Sequence, residues 1–117
     1  MESLSVDQQA PNPVCELVQI IGSKWGFAVI AELFKGAKRF NRLQRAIGVI
    51  KTQSLTDTLR LLEQNGFVRR EVFPTVPVTV EYSLTEKGRD FHRVIEAMYQ
   101  WAEKWGRGKH PAADGDL

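Results

Sequence analysis

The chain has only one cysteine, Cys15, and two histidines among its 117 residues. A single cysteine cannot form a disulfide within the chain, so a disulfide-stabilised scaffold is excluded. The histidines are isolated and are not spaced with the cysteine as the ligands of a metal site are. No nucleophile with an adjacent base, glycine-rich phosphate loop or pair of catalytic carboxylates stands out. We therefore expect no metal, no bound cofactor and no enzyme activity.

Long apolar runs are also missing. No stretch approaches the ~20 apolar residues that a membrane-spanning helix needs. The N-terminus has no basic region followed by an apolar run, which a secretory signal would have. Hydrophobic residues make up 43% and charged residues 26% of the chain, which is ordinary for one soluble domain. The sequence thus predicts a cytoplasmic protein with no membrane partner.

Positive charge is unevenly distributed along the chain. The net charge is only +2, but the segment 35–60 contains seven cations and a single anion. Such an asymmetry makes one face attractive to a polyanion while the molecule stays nearly neutral. A solvated helix face that happens to be basic would give the same composition, so charge alone leaves both interpretations open.

Hydrophobic periodicity predicts two N-terminal helices, at about 14–21 and 24–35, and then a short extended segment at 38–40 that could form a third strand. We expect Asn41 to be the N-cap of the next helix, with Leu43, Ala46 and Ile47 directed inward.

A fourth helix, at about 52–65, has Leu55, Leu59 and Leu62 at helical spacing, and Asn65-Gly66 ends it. Two strand-like runs, 67–73 and 79–84, are separated by a loop with two prolines, which is typical of a hairpin tip. Thr85 is the expected N-cap of a last helix that ends near Trp105.

The predicted fold class is α+β, a winged helix-turn-helix with extra N- and C-terminal helices that form a dimer interface. We divide the chain into a flexible N-terminal arm (1–12), a winged helix-turn-helix domain with dimerisation helices (13–105) and a disordered tail (106–117). The last helix has a broad apolar face for so small an interior, and association would cover it. A helix that only completes the core of a monomer is the alternative.

Several motifs, in order and spacing, resemble those of the HxlR-type (DUF24) winged-helix transcriptional regulators of bacteria and archaea, which are related to MarR-like regulators. They are IIGSKW at 20–25, RFNRL at 39–43, L-x-x-x-L-R-x-L-E-x-x-G at 55–66, FP at 73–74, and Pro77 followed by VEYSLTEKG at 80–88. The resemblance covers about 12–105. It implies a homodimer built from the first and last helices, with two recognition helices that read an inverted repeat. The interface that the resemblance implies consists of apolar residues on those two helices: Val14, Leu17, Val18, Ile21, Phe91, Ile95, Met98, Trp101 and Trp105.

Three departures from the family pattern bear on function. Asn12 stands where the family often has a cysteine that senses oxidants or electrophiles in some members. Lys51 takes the place of the usual serine N-cap, so we expect Thr52 to cap the recognition helix instead. The wing lacks the cation that often follows its prolines, and should therefore contribute less to phosphate binding.

Cys15, three residues beyond Asn12, is the candidate redox residue. It is either a buried, inert thiol or a thiol sensor that could form an intersubunit disulfide, because reactive cysteines need exposure and a lowered pKa. If it is buried, a small apolar effector held between the tryptophan-rich helices becomes the expected signal.

The recognition helix presents side chains suited to base edges. Gln53 can pair with adenine, Arg60 with guanine or a phosphate, and Asp57 can accept from cytosine. The other predicted residues are better suited to contacts with the DNA backbone, which position the protein on the duplex without reading its sequence. Predicted DNA-binding residues lie on the third helix, the recognition helix and the wing: Arg39, Asn41, Arg42, Lys51, Thr52, Gln53, Thr56, Asp57, Arg60 and Thr79.

We therefore predict a sequence-specific transcriptional regulator that binds double-stranded DNA as a homodimer on an inverted-repeat operator. The recognition helix, about 52–65, would enter the major groove, and the wing, about 73–80, would contact the flanking backbone. The alternative is a winged-helix protein-interaction module without specific DNA binding, which Asp57 and the uncharged wing favour.

Overall fold

Five helices and three strands follow one another between residues 12 and 106, the part of the chain that this computed structural model describes. In chain order they are α1 (Pro13–Ile21), α2 (Gly26–Phe34), β1 (Lys38–Arg39), α3 (Phe40–Ile47), α4 (Thr52–Gln64), β2 (Val68–Phe73), β3 (Thr79–Leu84) and α5 (Glu86–Trp105). The predicted α+β class and the order of its elements are confirmed. The predicted arm and tail lie outside the described residues, apart from Asn12 and Gly106.

The three strands form an antiparallel sheet in the order β1-β3-β2. β2 and β3 make the predicted hairpin, in register from Val68 opposite Leu84 to Phe73 opposite Thr79. The short β1 pairs with the other edge of β3, where Arg39 lies opposite Glu81. The extended segment before the third helix therefore does add a third strand, as its sequence predicted.

The core lies where α2 and α4 pack against each other and against the sheet. The predicted leucine stripe of α4 is buried, since Leu55, Leu59 and Leu62 are at most 2% exposed. Thr58 on the same helix is also buried, which the apolar pattern did not indicate. The α2 contribution is the apolar run that includes Val29, Ile30 and Leu33. Because these side chains fix both the position and the rotation of α4, its polar face must lie outside.

Side-chain caps fix the starts of α1 and α5. The side-chain amide oxygen Oδ1 of Asn12 accepts hydrogen bonds from the backbone N–H groups of Val14 and Cys15, at 2.8 and 3.2 Å. The Thr85 hydroxyl accepts from the Gly88 N–H and donates to the Gly66 carbonyl. Thr85 is thus the N-cap that its position predicted, and it also ties α5 to the turn after α4.

Three local predictions are wrong. Asn41 is not an N-cap, because β1 runs directly into α3 and the cap position belongs to the extended Arg39, whose side chain makes no capping hydrogen bond within the described chain. Thr52 is not a cap either but the first residue of α4, after an extended Lys51. Ala46 is exposed, whereas Leu43 is fully buried and Ile47 partly buried as predicted.

In the described part of the chain, no single helix is long and apolar enough to cross a bilayer. α1 and α2 satisfy the length and composition only as a pair, which is bent by 81°.

Gly88 provides a test of how closely the start of α5 packs against Phe67. A Cβ atom at this position would lie 2.2 Å from the Phe67 carbonyl oxygen, which already accepts a hydrogen bond from the Thr85 N–H. Helix propensity alone would make Gly88→Ala stabilising by about 1 kcal/mol. We expect the steric clash to outweigh this gain in helix propensity and to lower the free energy of unfolding by about 1–3 kcal/mol. Urea denaturation followed by circular dichroism measures this.

The matched control for Gly88→Ala is Glu96→Ala, at an exposed position of the same helix, which should stay within about 0.5 kcal/mol of the native protein. A Gly88→Ala protein that is as stable as the native chain would contradict the described seating of α5 on Phe67.

Candidate nucleic-acid interface

The exposed face of α4 brings together four of the predicted base-contacting residues. Gln53, Asp57 and Arg60 are exposed and recur at spacings of four and three residues, and Thr56 is half-buried beside them. This face lies opposite the buried leucines of the same helix. A helix held from one side by its leucines presents its polar side chains as a rigid row, which is what insertion into a major groove requires.

Two residues of that row are bonded to each other. The Gln53 amide nitrogen Nε2 donates to the Asp57 carboxylate oxygen Oδ1 at 2.9 Å. Arg60, three residues further along the same face, does not pair with Asp57. Of the two ion pairs in residues 12–106, Lys35–Glu32 and Arg93–Asp90, neither involves the α4 face.

Gln44 on α3 holds the turn that leads into α4. Its amide nitrogen donates to the Ile50 carbonyl oxygen at 3.1 Å and to the Thr52 hydroxyl at 3.2 Å. Ile50 itself is buried, so the turn is fixed by packing and by hydrogen bonds together. Because the Thr52 oxygen accepts from Gln44, its own proton remains free to be donated. Sequence reasoning missed Gln44, since one glutamine on a polar helix carries no recognisable signal.

A basic cleft of about 980 Å³ lies between the wing and the region where β1 meets α3. Arg39, Asn41 and Arg42 line one side of it, and Thr79 lines the wing side, so the fold unites these predicted residues. Arg45, which was not in the predicted set, also lines it.

The cations of the basic cleft differ in how far they are already engaged. The Lys35 ammonium group pairs with Glu32 at 3.1 Å. The Lys38 ammonium group donates to the carbonyl oxygens of Glu32 and Gly36 and thereby satisfies the C-terminal end of α2. The three arginines, Arg39, Arg42 and Arg45, enter no ion pair within the described residues. They are therefore the cations that a phosphate backbone could engage at the cleft.

The wing tip carries no charge. Between β2 and β3 the chain reads Pro-Thr-Val-Pro-Val at 74–78, with Val76 fully exposed. The Thr75 hydroxyl donates to the Pro77 carbonyl oxygen at 2.7 Å and contacts the Thr79 hydroxyl at 3.3 Å, which holds the loop closed. Arg69 and Arg70 are both exposed on β2, and because successive side chains alternate across a strand they face opposite sides of the sheet.

Exposed apolar side chains also lie on α1 and on α5. Val14 and Val18 on α1 are 64% and 59% exposed, and Trp101 on α5 is 66% exposed. Other members of the predicted dimer set with exposed or partly exposed side chains are Leu17, Phe91, Met98 and Trp105. Ile21 and Ile95 instead belong to the core of the protomer, with 1% and 2% exposed, so they have almost no surface left for a partner.

The apolar surface of α5 includes a small groove. It is about 220 Å³ in volume and is lined by Phe27 of α2 and by Ile95, Met98, Tyr99 and Ala102 of α5. Tyr99, which is 60% exposed, was not among the predicted interface residues.

Cys15 is partly exposed on α1, so it is not the fully buried thiol of one of the two interpretations. The Asn12 side chain, in the position of the family's usual cysteine, is occupied in capping α1. Between Asn12 and Gly106, no group of three or more His, Cys, Asp or Glu side chains is placed to hold a metal ion.

A family model described as HxlR-like helix-turn-helix matches residues 20–110. The chain belongs to the HxlR-like helix-turn-helix family. The resemblance read from its motifs is thereby confirmed, and the named relatives are transcriptional regulators, which are not enzymes.

Relatives of this HxlR-like protein match over most of their length. It is 37% identical over 111 residues to the HTH-type transcriptional regulator YtfH of Escherichia coli, with 88% of each chain covered. It is 38% identical over 98 residues to the HTH-type transcriptional regulator YodB of Bacillus subtilis, with 80% of this chain and 88% of the relative covered.

Solved structures agree with the HxlR-like assignment. The oxidized form of the redox regulator HypR superposes with a TM-score of 0.73 at 41% identity, over 79% of this chain and 95% of that one. The reduced form of YodB from B. subtilis superposes with a TM-score of 0.75 at 34% identity, over 86% and 97% of the two chains. The winged helix-turn-helix fold is therefore confirmed.

The hydrogen bonds of Gln44 lead to a prediction about the turn. Gln44→Ala removes both of its bonds and leaves the Ile50 carbonyl without this donor, so the free energy of unfolding should fall by about 1–2 kcal/mol. Arg45→Ala, at the exposed neighbouring position, is the control and should change stability by less than about 0.5 kcal/mol. Urea denaturation of both variants measures the difference. Equal stabilities of the two variants would show that Gln44 does not hold the turn.

Proposed function

We propose that this HxlR-family protein is a sequence-specific transcriptional regulator that binds an inverted-repeat operator as a homodimer. α4 enters the major groove, and the wing, residues 73–80, lies along the flanking backbone. The observation that supports this most directly is the row of Gln53, Thr56, Asp57 and Arg60, held outward by the buried leucines of α4.

The basic cleft supports the same placement. Arg39, Arg42 and Arg45 lie on the α3 side, and the wing forms the other wall. Phosphate contacts position a protein on the duplex without reading its sequence. Each such contact releases counterions, and adds about 0.9 to the slope of the logarithm of affinity against the logarithm of salt concentration. With an uncharged wing tip, most of this salt dependence should come from the arginines of the cleft and from Lys51.

The exposed apolar surface supports the dimer. Tryptophan and valine side chains on α5 and α1 form a surface that association would remove from water. A twofold axis through this surface would pair two α4 helices, and dimers of helix-turn-helix proteins read half-sites that are about 34 Å, one DNA turn, apart. The proposed mechanism is steric: the dimer occupies a promoter and excludes or repositions polymerase. A signal that changes the distance between the two α4 helices would release it.

Two features favour a second candidate function. The wing tip is uncharged and exposes Val76 completely, and Asp57 places negative charge on the α4 face. These features would suit a winged-helix module that binds another protein. An apolar protein interface should barely respond to salt, whereas binding through phosphates weakens steeply as salt rises.

Arg60→Ala tests the placement of α4. Binding of the purified protein to its own upstream intergenic DNA, and to a scrambled duplex, is measured by fluorescence anisotropy at several salt concentrations. Native protein should prefer the upstream DNA, and Arg60→Ala should weaken that binding by about 5- to 150-fold, because a guanine or phosphate contact is lost.

The control for Arg60→Ala is Arg93→Ala, which removes the same charge from the exposed face of α5 and should bind almost as the native protein does. Equal, weak binding of native protein to both duplexes would contradict specific recognition and favour the protein-interaction module.

Trp101→Glu tests the dimer. A buried glutamate without a partner is strongly unfavourable, so this variant should sediment as a monomer at micromolar concentration where the native protein is a dimer. Gln100→Glu adds the same charge at the neighbouring exposed residue and should remain dimeric. Sedimentation velocity distinguishes the two states. A Trp101→Glu protein that is still dimeric would place the interface on another surface.

A further inference from the structure

Asp57 is a carboxylate on the face of α4 that we place against DNA. It is exposed, and neither of the ion pairs in the described chain involves it. A free carboxylate beside phosphates is repelled, so its presence on this face works against non-specific binding. The repulsion is offset only where the carboxylate accepts a hydrogen bond from a donor on a base edge.

The hydrogen bond from Gln53 determines which oxygen of the Asp57 carboxylate is available to a base. One carboxylate oxygen, Oδ1, already accepts from the Gln53 amide at 2.9 Å. The other oxygen, Oδ2, remains available as an acceptor. Because Gln53 is one helical turn earlier on the same face, it holds the carboxylate in one orientation. Asp57 therefore presents a fixed acceptor and no donor.

The four bases differ in what they offer to such an acceptor. In the major groove, guanine presents the acceptors N7 and O6, and thymine presents the acceptor O4 and a methyl group. Both are unfavourable opposite a carboxylate. Adenine presents its N6 amine beside the acceptor N7, whereas cytosine presents its N4 amine with no acceptor on the same edge. Cytosine is therefore the favoured base.

We infer that Asp57, oriented by Gln53, selects one cytosine in each half-site of the operator. The inference rests on the proposed function, which places α4 in the major groove. In this arrangement Asp57 determines specificity by accepting from the cytosine amine. Gln53 is a positioning residue for it, in addition to any contact of its own with a base.

The test is selection of bound sequences from a pool of randomised duplexes, with the full-length native protein and four variants. Native protein should prefer cytosine at one position of each half-site by about tenfold or more over guanine or thymine. Asp57→Ala should reduce this preference to less than about twofold and bind arbitrary DNA more tightly, because the repulsion has been removed.

Asp57→Asn gives a sharper outcome, because asparagine keeps the size of the side chain and pairs with N6 and N7 of adenine. It should change the preferred base at that position from cytosine to adenine. Gln53→Ala should weaken the cytosine preference several-fold without changing the preferred base. Glu63→Gln removes a negative charge from another exposed position of α4 and should leave the cytosine preference intact.

Circular dichroism of each variant establishes that it is folded, and Asp57 is exposed, so loss of fold is not expected. If Asp57→Ala and Asp57→Asn keep every base preference of the native protein, Asp57 does not select a base, although the proposed function stands. If native protein selects no sequence at all, both the inference and the proposed function are overturned.

Discussion

Burial of three leucines on one side of α4 is the constraint on which the rest of the structure depends. Leu55, Leu59 and Leu62 pack into the core with the apolar side chains of α2 and the sheet. Complete burial of a leucine contributes about 1.5–3 kcal/mol, so any rotation of α4 would be costly. The same packing that stabilises the fold therefore also decides which side chains of α4 are available to a ligand.

Two sets of hydrogen bonds transmit this constraint to the neighbouring elements. Gln44 connects α3 to the turn and to the first residue of α4, so hydrogen bonds as well as packing fix the position of one helix relative to the other. At the other end, the Thr85 hydroxyl and the Lys87 ammonium group donate to the backbone of the turn that follows α4. The start of α5 is thus tied to the end of α4.

In the complex that we propose with DNA, charge on the protein would be divided between attraction and selection. Arg39, Arg42 and Arg45 around the basic cleft would attract the phosphate backbone without reading sequence. Asp57 would oppose that attraction on every sequence except those that offer it a donor. A protein with net charge near zero gains from this division, because weak non-specific binding leaves more of it free to find a specific site.

The sequence by itself determined the fold class, the elements, the buried leucine stripe and the polar face of α4, because each is encoded by local periodicity within one helix or strand. It also identified the family, through several motifs in a fixed order. The cap positions at Arg39 and Lys51 were predicted wrongly, since neither side chain makes a capping hydrogen bond within the described residues. Only the tertiary structure decided that Ile21 and Ile95 belong to the core, that Gln44 holds the turn, and that Gln53 rather than Arg60 bonds to Asp57. These depend on distances between side chains and on packing across elements, which residue spacing along a chain does not specify.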